Sequence, residues 1–354
     1  VVEIAKIFHS HLGWQWSNWG DQMLARGVRN LMLDYLPISE SDIGGEPIIQ
    51  WNKETAQNIS NNFKLFIMGG GGMIDQDGFI GTKEFFDELK IPFIVYSVGY
   101  NIFRPAKHLS QGTLEKLKYV QSKTVFFSVR DDGSKEDLIQ DGFQVQESPD
   151  PAFFCSERWN FPKTNPFKHK YVLINTAGDC LDSRYKMNNV THSDFCWRVG
   201  LITDFLLNKG YKVYFTQHVP FDAFCFNTMK WRPDQVSVLD FETMEKNGLS
   251  WIKNASLAIS MRGHAQIIPI SLGVPTISWS TQDKNLGIMK KLNLDDWNLD
   301  VNMDNVKFVQ ATKNLIIQAE REKDLLRKKY EIELCKRKKI VDLEWEHIKT
   351  LISL

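Results

Sequence analysis

Leu257-Ala258-Ile259-Ser260-Met261-Arg262-Gly263-His264 runs from a short apolar, β-like tetrad into a polar turn, and Ala265 to Leu272 behind it has the composition of a buried helix. A strand that feeds a helix is the repeating unit of parallel α/β folds. At such a turn, side chains and free helix N–H groups face a ligand crevice, and the N–H groups favour anions. Arg262 and His264 therefore stand where a phosphate or carboxylate would be held. After Gly273-Val274-Pro275, Thr276 to Trp279 reads as the next strand, and Gln282-Asp283-Lys284 opens the helix that follows. Two consecutive strand ends thus deliver positive charge. The same residues allow a plainer reading, with Arg262 paired to a nearby carboxylate, His264 capping its helix and Lys284 solvated; the sequence leaves both open.

The strand-helix alternation extends in both directions. Val2 to Phe8, Leu65 to Met68, Phe93 to Val98 and Thr124 to Val129 read as strands, separated by helices over Gln22 to Tyr35, Lys83 to Leu89 and Thr113 to Gln121, with Ser134 to Gln140 following. Between Asp150 and His169 the pattern lapses into Pro151, Pro162 and Pro166. It restarts with strands at Tyr171 to Asn175, Lys212 to Thr216 and Val236 to Leu239, and helices at Phe195 to Asn208 and Ser250 to Asn254. The expected fold class is α/β: two Rossmann-like doubly wound domains over 1–160 and 161–304, followed by a charged helical segment over 305–354.

At 354 residues, two cores are the natural expectation. Lys plus Arg and Asp plus Glu both number 43, which argues against a general nucleic-acid binder because such proteins carry an excess basic field. The five cysteines are widely spaced and form no zinc pattern, so they read as reduced thiols of a cytoplasmic protein. No signal-peptide pattern or stretch of about 18 apolar residues is visible. The basic clusters Arg327-Lys328-Lys329 and Lys336-Arg337-Lys338-Lys339 read as a solvated helical face, with peripheral membrane-surface contact as the functional alternative.

Further candidate groups sit at other strand ends. Asn18-Trp19-Gly20-Asp21 follows the first strand, in a loop that also holds Trp14 and Trp16. Asp21 either caps the helix or, with Asn18 and Gly20, binds acceptor hydroxyls and serves as a base. Gly69-Gly70-Gly71-Gly72 lets the backbone turn tightly; it serves anion binding at Gly70 and Gly71, or close packing of the domains. Arg130, in Ser128-Val129-Arg130-Asp131, either reaches the crevice or pairs with Asp131 or Asp150. His218 either lines the crevice or sits in a surface loop. His9 and His11 alternate on one side of a strand, but without a third ligand no metal site is expected.

In this order, Asn18-Trp19-Gly20-Asp21, the Gly69 to Gly72 run, Ser128-Val129-Arg130-Asp131 with Ser134 and Leu138, Asp150-Pro151-Ala152, Arg262-Gly263-His264, Gly273-Val274-Pro275 and Lys284 resemble the polysaccharide pyruvyl transferase family. The resemblance spans roughly Ile7 to Leu294 and rests on the ordered set. It implies a GT-B-like arrangement and transfer of pyruvate from phosphoenolpyruvate onto two hydroxyls of a sugar, as a cyclic ketal. The acceptor would be a bacterial-type surface polysaccharide, capsule or exopolysaccharide, or its lipid-linked precursor, handled at the inner face of the membrane. The N-terminal domain would serve the acceptor, through Asn18, Gly20, Gly70 and Gly71. The second would hold the donor, with Arg262, Lys284, Arg130 and His218 as ligands. Protonation of the donor methylene requires an acid, for which His264 is the candidate, and Asp21 is the candidate base. No cofactor is implied. The rivals are a nucleotide-sugar glycosyltransferase of the same architecture and a non-catalytic carbohydrate-binding protein.

Overall fold

The computed structural model describes residues 6–11, 18–45, 50–75, 78–79, 81–100, 108–162, 167, 169–179, 190–231 and 234–352. Trp14 and Trp16 lie outside these residues, as do residues 180–189. The chain divides into two compact units, Val1–Glu157 with Lys336–Leu354, and Arg158–Cys335.

The first unit is a six-stranded parallel sheet. Its strands are β1 (Ile7–Ser10), β2 (Ile43–Gly44), β3 (Leu65–Gly69), β6 (Phe93–Val98), β7 (Phe126–Arg130) and β8 (Gln146–Ser148), with Ile74–Asp75 and Gly78–Phe79 forming a small antiparallel pair, β4 and β5. The sheet order is β2-β1-β3-β6-β7-β8, so the direction of winding reverses between β1 and β3. Connecting helices are α1 (Trp19–Tyr35), α2 (Lys53–Asn62), α3 (Lys83–Glu88), α4 (Gln111–Gln121) and α5 (Ser134–Gln140). Runs such as Phe93-Ile94-Val95-Tyr96-Ser97-Val98 form central strands because every residue is buried, which demands apolar side chains on both faces. The helices start where a side chain satisfies a free N–H: Asn52, Thr82 and Ser110 accept from Thr55, Phe85 and Thr113. Aromatic packing of Phe66, Phe85, Phe86 and Phe93 fills one side of the sheet.

The second unit repeats the design with β9 (Tyr171–Asn175), β10 (Lys212–Thr216), β11 (Val236–Leu239), β12 (Leu257–Ser260), β13 (Thr276–Ser280) and β14 (Asn298–Asp300), all parallel, in the order β11-β10-β9-β12-β13-β14. Here the winding reverses between β9 and β12, and the carboxyl ends of these two strands flank the crevice position of a doubly wound sheet. The helices are α6 (His192–Asn208), α7 (Phe224–Asn227), α8 (Phe241–Lys253), α9 (Gly263–Ser271), α10 (Asp283–Lys291), α11 (Asn305–Arg321) and α12 (Lys323–Ile352).

The segment 305–354 is helical, as expected, and its two helices add to the cores of the two units. Helix α11 belongs to the second unit: Phe308 packs on Trp279 with ring centroids 5.4 Å apart, and the Trp279 indole N–H donates to Thr312 at 3.3 Å. Helix α12 starts in the second unit and ends in the first. There Trp345, fully buried, stacks on Tyr35 and packs at a tilt against Tyr96. The polar spacing of the tail hid single large apolar residues that complete a core. Among the described residues, no helix is long and apolar enough to cross a membrane.

Candidate functional site

Strand β12 ends at Ser260, and α9 begins at Gly263, so Arg262 is the residue that caps the helix, with extended backbone and no side-chain capping bond. Its own N–H donates to the Asn175 side-chain oxygen at 3.3 Å, which ties the ends of β9 and β12 together at the winding reversal. The guanidinium is held edge-on by Asp222: Nε donates to Oδ2 at 2.7 Å and Nη2 to Oδ1 at 2.6 Å. Asp179 takes the other side, at 2.7 Å from Nη2 and 3.4 Å from Nη1. Burial works against the Arg262 charge, but the two carboxylates outweigh it and raise its pKa.

Asp222 is the organising residue. Fully buried, it also accepts from the backbone N–H groups of Gly178, His218 and Val219 at 3.1 to 3.2 Å and from the Asn175 amide at 3.2 Å. The turn over 219–222 comes so close that a Cβ on Gly178 would sit 1.8 Å from the Phe221 carbonyl oxygen. His218 is buried rather than in a surface loop, and burial together with the nearby charges of Arg262 and His264 pushes its pKa well below the usual imidazole value. It is a neutral ring at neutral pH. His264 is the second residue of α9, half-buried, and Lys284 opens α10 at the end of the neighbouring strand β13.

The second unit therefore brings Arg262, His264 and His218 together, with Lys284 on the next helix. It also shows that Arg262 is paired to carboxylates. Sequence reasoning missed Asp222, Asp179, Asn175 and Gln282. Asn175 carried a signal, as the last residue of an expected strand. Gln282 caps α10, and both polar atoms of its buried amide lack a hydrogen-bond partner among the described residues. A cavity of about 280 Å³ opens at the opposite, N-terminal edge of this sheet, lined by Lys170, Tyr211, Ser256, Leu257, Glu320 and Lys323, away from the Arg262 turn.

In the first unit, Asn18 caps α1 by accepting from Gly20 N at 3.0 Å, and its amide donates to Asp21 at 2.8 Å. Asn18, rather than Asp21, is thus the cap. Arg130 is buried and pairs locally with Asp132 at 3.1 Å and Asp150 at 3.4 Å; Asp21 adds to the negative field around it. Asp131 pairs instead with Arg337 of α12, at 2.8 Å, and burial pushes the Asp131 carboxyl up to about 7. Gly70 and Gly71 have positive φ, +84° and +143°, and Gly70 lies against the backbone of Leu24 and Ala25 in α1. The glycine run accordingly packs on a helix of its own unit. His9 and His11 are buried with ring centroids 4.8 Å apart. Among the described residues, no group of three His, Cys, Asp or Glu is placed to hold a metal ion.

Solved structures share the fold at low identity. A Listeria monocytogenes structure assigned as a UDP-N-acetylglucosamine 2-epimerase aligns with a TM-score of 0.55 at 10% identity, over 92% of this chain and 91% of its own. Phytolacca americana UGT2, complexed with UDP-2fluoro-glucose and pterostilbene, gives 0.54 at 9%, over 98% and 100%. The Methanocaldococcus jannaschii UDP-GlcNAc 2-epimerase, in complex with UDP-GlcNAc and UDP, gives 0.51 at 11%, over 88% and 92%. The architecture is an α/β fold of the GT-B type. No curated protein matches in sequence. The family model for polysaccharide pyruvyl transferase matches residues 18–283, three quarters of the sequence, and the chain belongs to that family.

Proposed function

We propose that the protein moves pyruvate from phosphoenolpyruvate onto two hydroxyls of a sugar, in a surface polysaccharide or its lipid-linked precursor, with the second unit serving the donor. The observation that carries this reading is the Arg262-Gly263-His264 turn at the winding reversal, with Lys284 opening the helix after the adjacent strand, in a chain of this family. Phosphoenolpyruvate bears a phosphate and a carboxylate, and helix N–H groups with arginine and lysine side chains suit both. The Asp222 pair fixes one edge of the guanidinium, and the donor displaces the more exposed Asp179 from the other. The buried amide of Gln282 supplies a further hydrogen bond to the donor.

His264 gives its proton to the donor methylene, which makes the adjacent carbon oxocarbenium-like. A sugar hydroxyl attacks that carbon and passes its proton to a carboxylate, the role proposed for Asp21 with Asn18 beside it. Phosphate departs, taking the proton held by Asp21, and the second hydroxyl closes the ketal as its proton returns to His264. Protein cations neutralise the donor, so the scheme calls for no cofactor.

Incubation with phosphoenolpyruvate and a panel of lipid-linked and free glycans tests the reading. Phosphate release that needs both substrates, with a matching mass gain on the glycan, supports it. Release of a nucleoside diphosphate from a nucleotide sugar instead would replace it with the glycosyltransferase reading.

The proposed setting is the inner membrane surface. Helix α12 leaves Leu325, Ile332 and Leu343 exposed, at 57%, 56% and 75%. At about 100° per residue they fall on one face, among Lys328, Lys329, Lys336 and Lys339, as expected of an amphipathic helix resting on anionic lipid. Co-sedimentation with phosphatidylglycerol vesicles, lost on Leu325→Ser with Leu343→Ser, is the expected result; equal binding to phosphatidylcholine vesicles, or none, contradicts this setting.

A further inference from the structure

Two thiols in the second unit face each other outside any role described so far. Cys196, in the first turns of α6, and Cys225, in the one-turn helix α7, place their sulfurs 3.2 Å apart, closer than two sulfurs in ordinary contact. Both residues are buried and neither is in a disulfide. The Thr228 hydroxyl also donates to the Cys196 sulfur, at 3.3 Å. Three residues before Cys225 stands Asp222, the carboxylate that fixes Arg262.

We propose that Cys196 and Cys225 are an oxidative modification site: a hydroperoxide converts them to a reversible disulfide that ties the Asp222 turn to α6. Hydrogen bonds from Cys225 and Thr228 bring the Cys196 thiol down to about 7, which makes it the attacking sulfur at neutral pH, whereas burial holds Cys225 as the thiol. The Cys196 thiolate attacks a peroxide oxygen, the O–O bond breaks, and hydroxide leaves to be protonated as water. The Cys225 sulfur then attacks the resulting sulfenic acid; the S–S bond forms, the S–O bond breaks, and the departing hydroxide takes the Cys225 proton. Two thiols are oxidised by two electrons and one hydrogen peroxide becomes two waters. Thiol exchange with a dithiol reductant reverses the step.

The test treats the full chain with hydrogen peroxide at neutral pH until the exposed Cys335 is fully oxidised, then alkylates residual thiols under denaturing conditions and maps non-reduced peptides by mass spectrometry. The expected result is a Cys196–Cys225 linked peptide pair lighter by two hydrogens, abolished by dithiothreitol. In Cys196→Ser no such pair forms and Cys225 is recovered alkylated, whereas in Cys225→Ser no pair forms and Cys196 is recovered as its sulfenic or sulfinic acid. Recovery of both residues as alkylated thiols, or pairing of either with another cysteine, overturns the proposal.

Discussion

At the scale of single residues, one buried carboxylate supports the candidate donor site. Asp222 accepts two bonds from Arg262 and four more from its surroundings, so its removal strands a buried guanidinium and several N–H groups. Breaking a buried pair costs about 3–5 kcal/mol. Asp222→Ala is therefore expected to lower the stability of the second unit by about that amount in a urea titration, whereas Asp179→Ala, on a side chain one-third exposed, changes it by no more than about 1 kcal/mol. If the donor displaces Asp179, the same Asp179→Ala tightens phosphoenolpyruvate binding, which calorimetric titration reads directly. Arg262, His264 and Lys284 were legible in the sequence because strand-to-helix turns announce themselves through short apolar runs followed by polar residues. Asp222 was not, since it lies six residues beyond the end of β10 in a turn whose geometry no local pattern specifies.

At the scale of elements, the end of α12 is held to the first unit by a buried acid. Glu344 accepts from Ser148 at 2.7 Å and from Gln146 and Tyr96 at 3.2 Å, yet burial pushes its carboxyl up to about 7. Its pKa is raised relative to the unfolded value near 4.5, so folding binds a proton there. The stability it contributes is present below that value and is lost as pH rises from about 4.5 to about 7, on the order of 3 kcal/mol. Buried neutral His9 and His218 act with the opposite sign. The difference between the wild type and Glu344→Gln isolates the term: their stabilities should diverge across this window, with the variant gaining on the wild type as pH rises. Parallel curves would refute it. The central strands were readable, Phe93–Val98, Tyr171–Asn175 and Leu257–Ser260 to the residue, because burial on both faces forces apolar runs. The edge strands β2, β8 and β14 have two or three residues each and leave no periodicity to detect.

At the scale of the molecule, two doubly wound units share one C-terminal helix, and the chain returns to its first unit only at Lys336. Trp345 fills a fully buried position there, so Trp345→Ala is expected to cost about 3–5 kcal/mol and to lower the melting of the first unit while leaving that of the second. That return was hidden in the sequence, where charged residues dominate the tail. The central claim is that the second unit holds a small dianionic donor through the cations at two neighbouring strand ends. Calorimetric titration of phosphoenolpyruvate into the wild type and into Lys284→Ala and His264→Ala, at one fixed ionic strength, tests it most directly. The account predicts saturable one-to-one binding in the wild type, weakened at least tenfold by Lys284→Ala and weakened by His264→Ala. Equal affinity in all three proteins, or no heat with phosphoenolpyruvate but saturation by a nucleotide sugar, would contradict it.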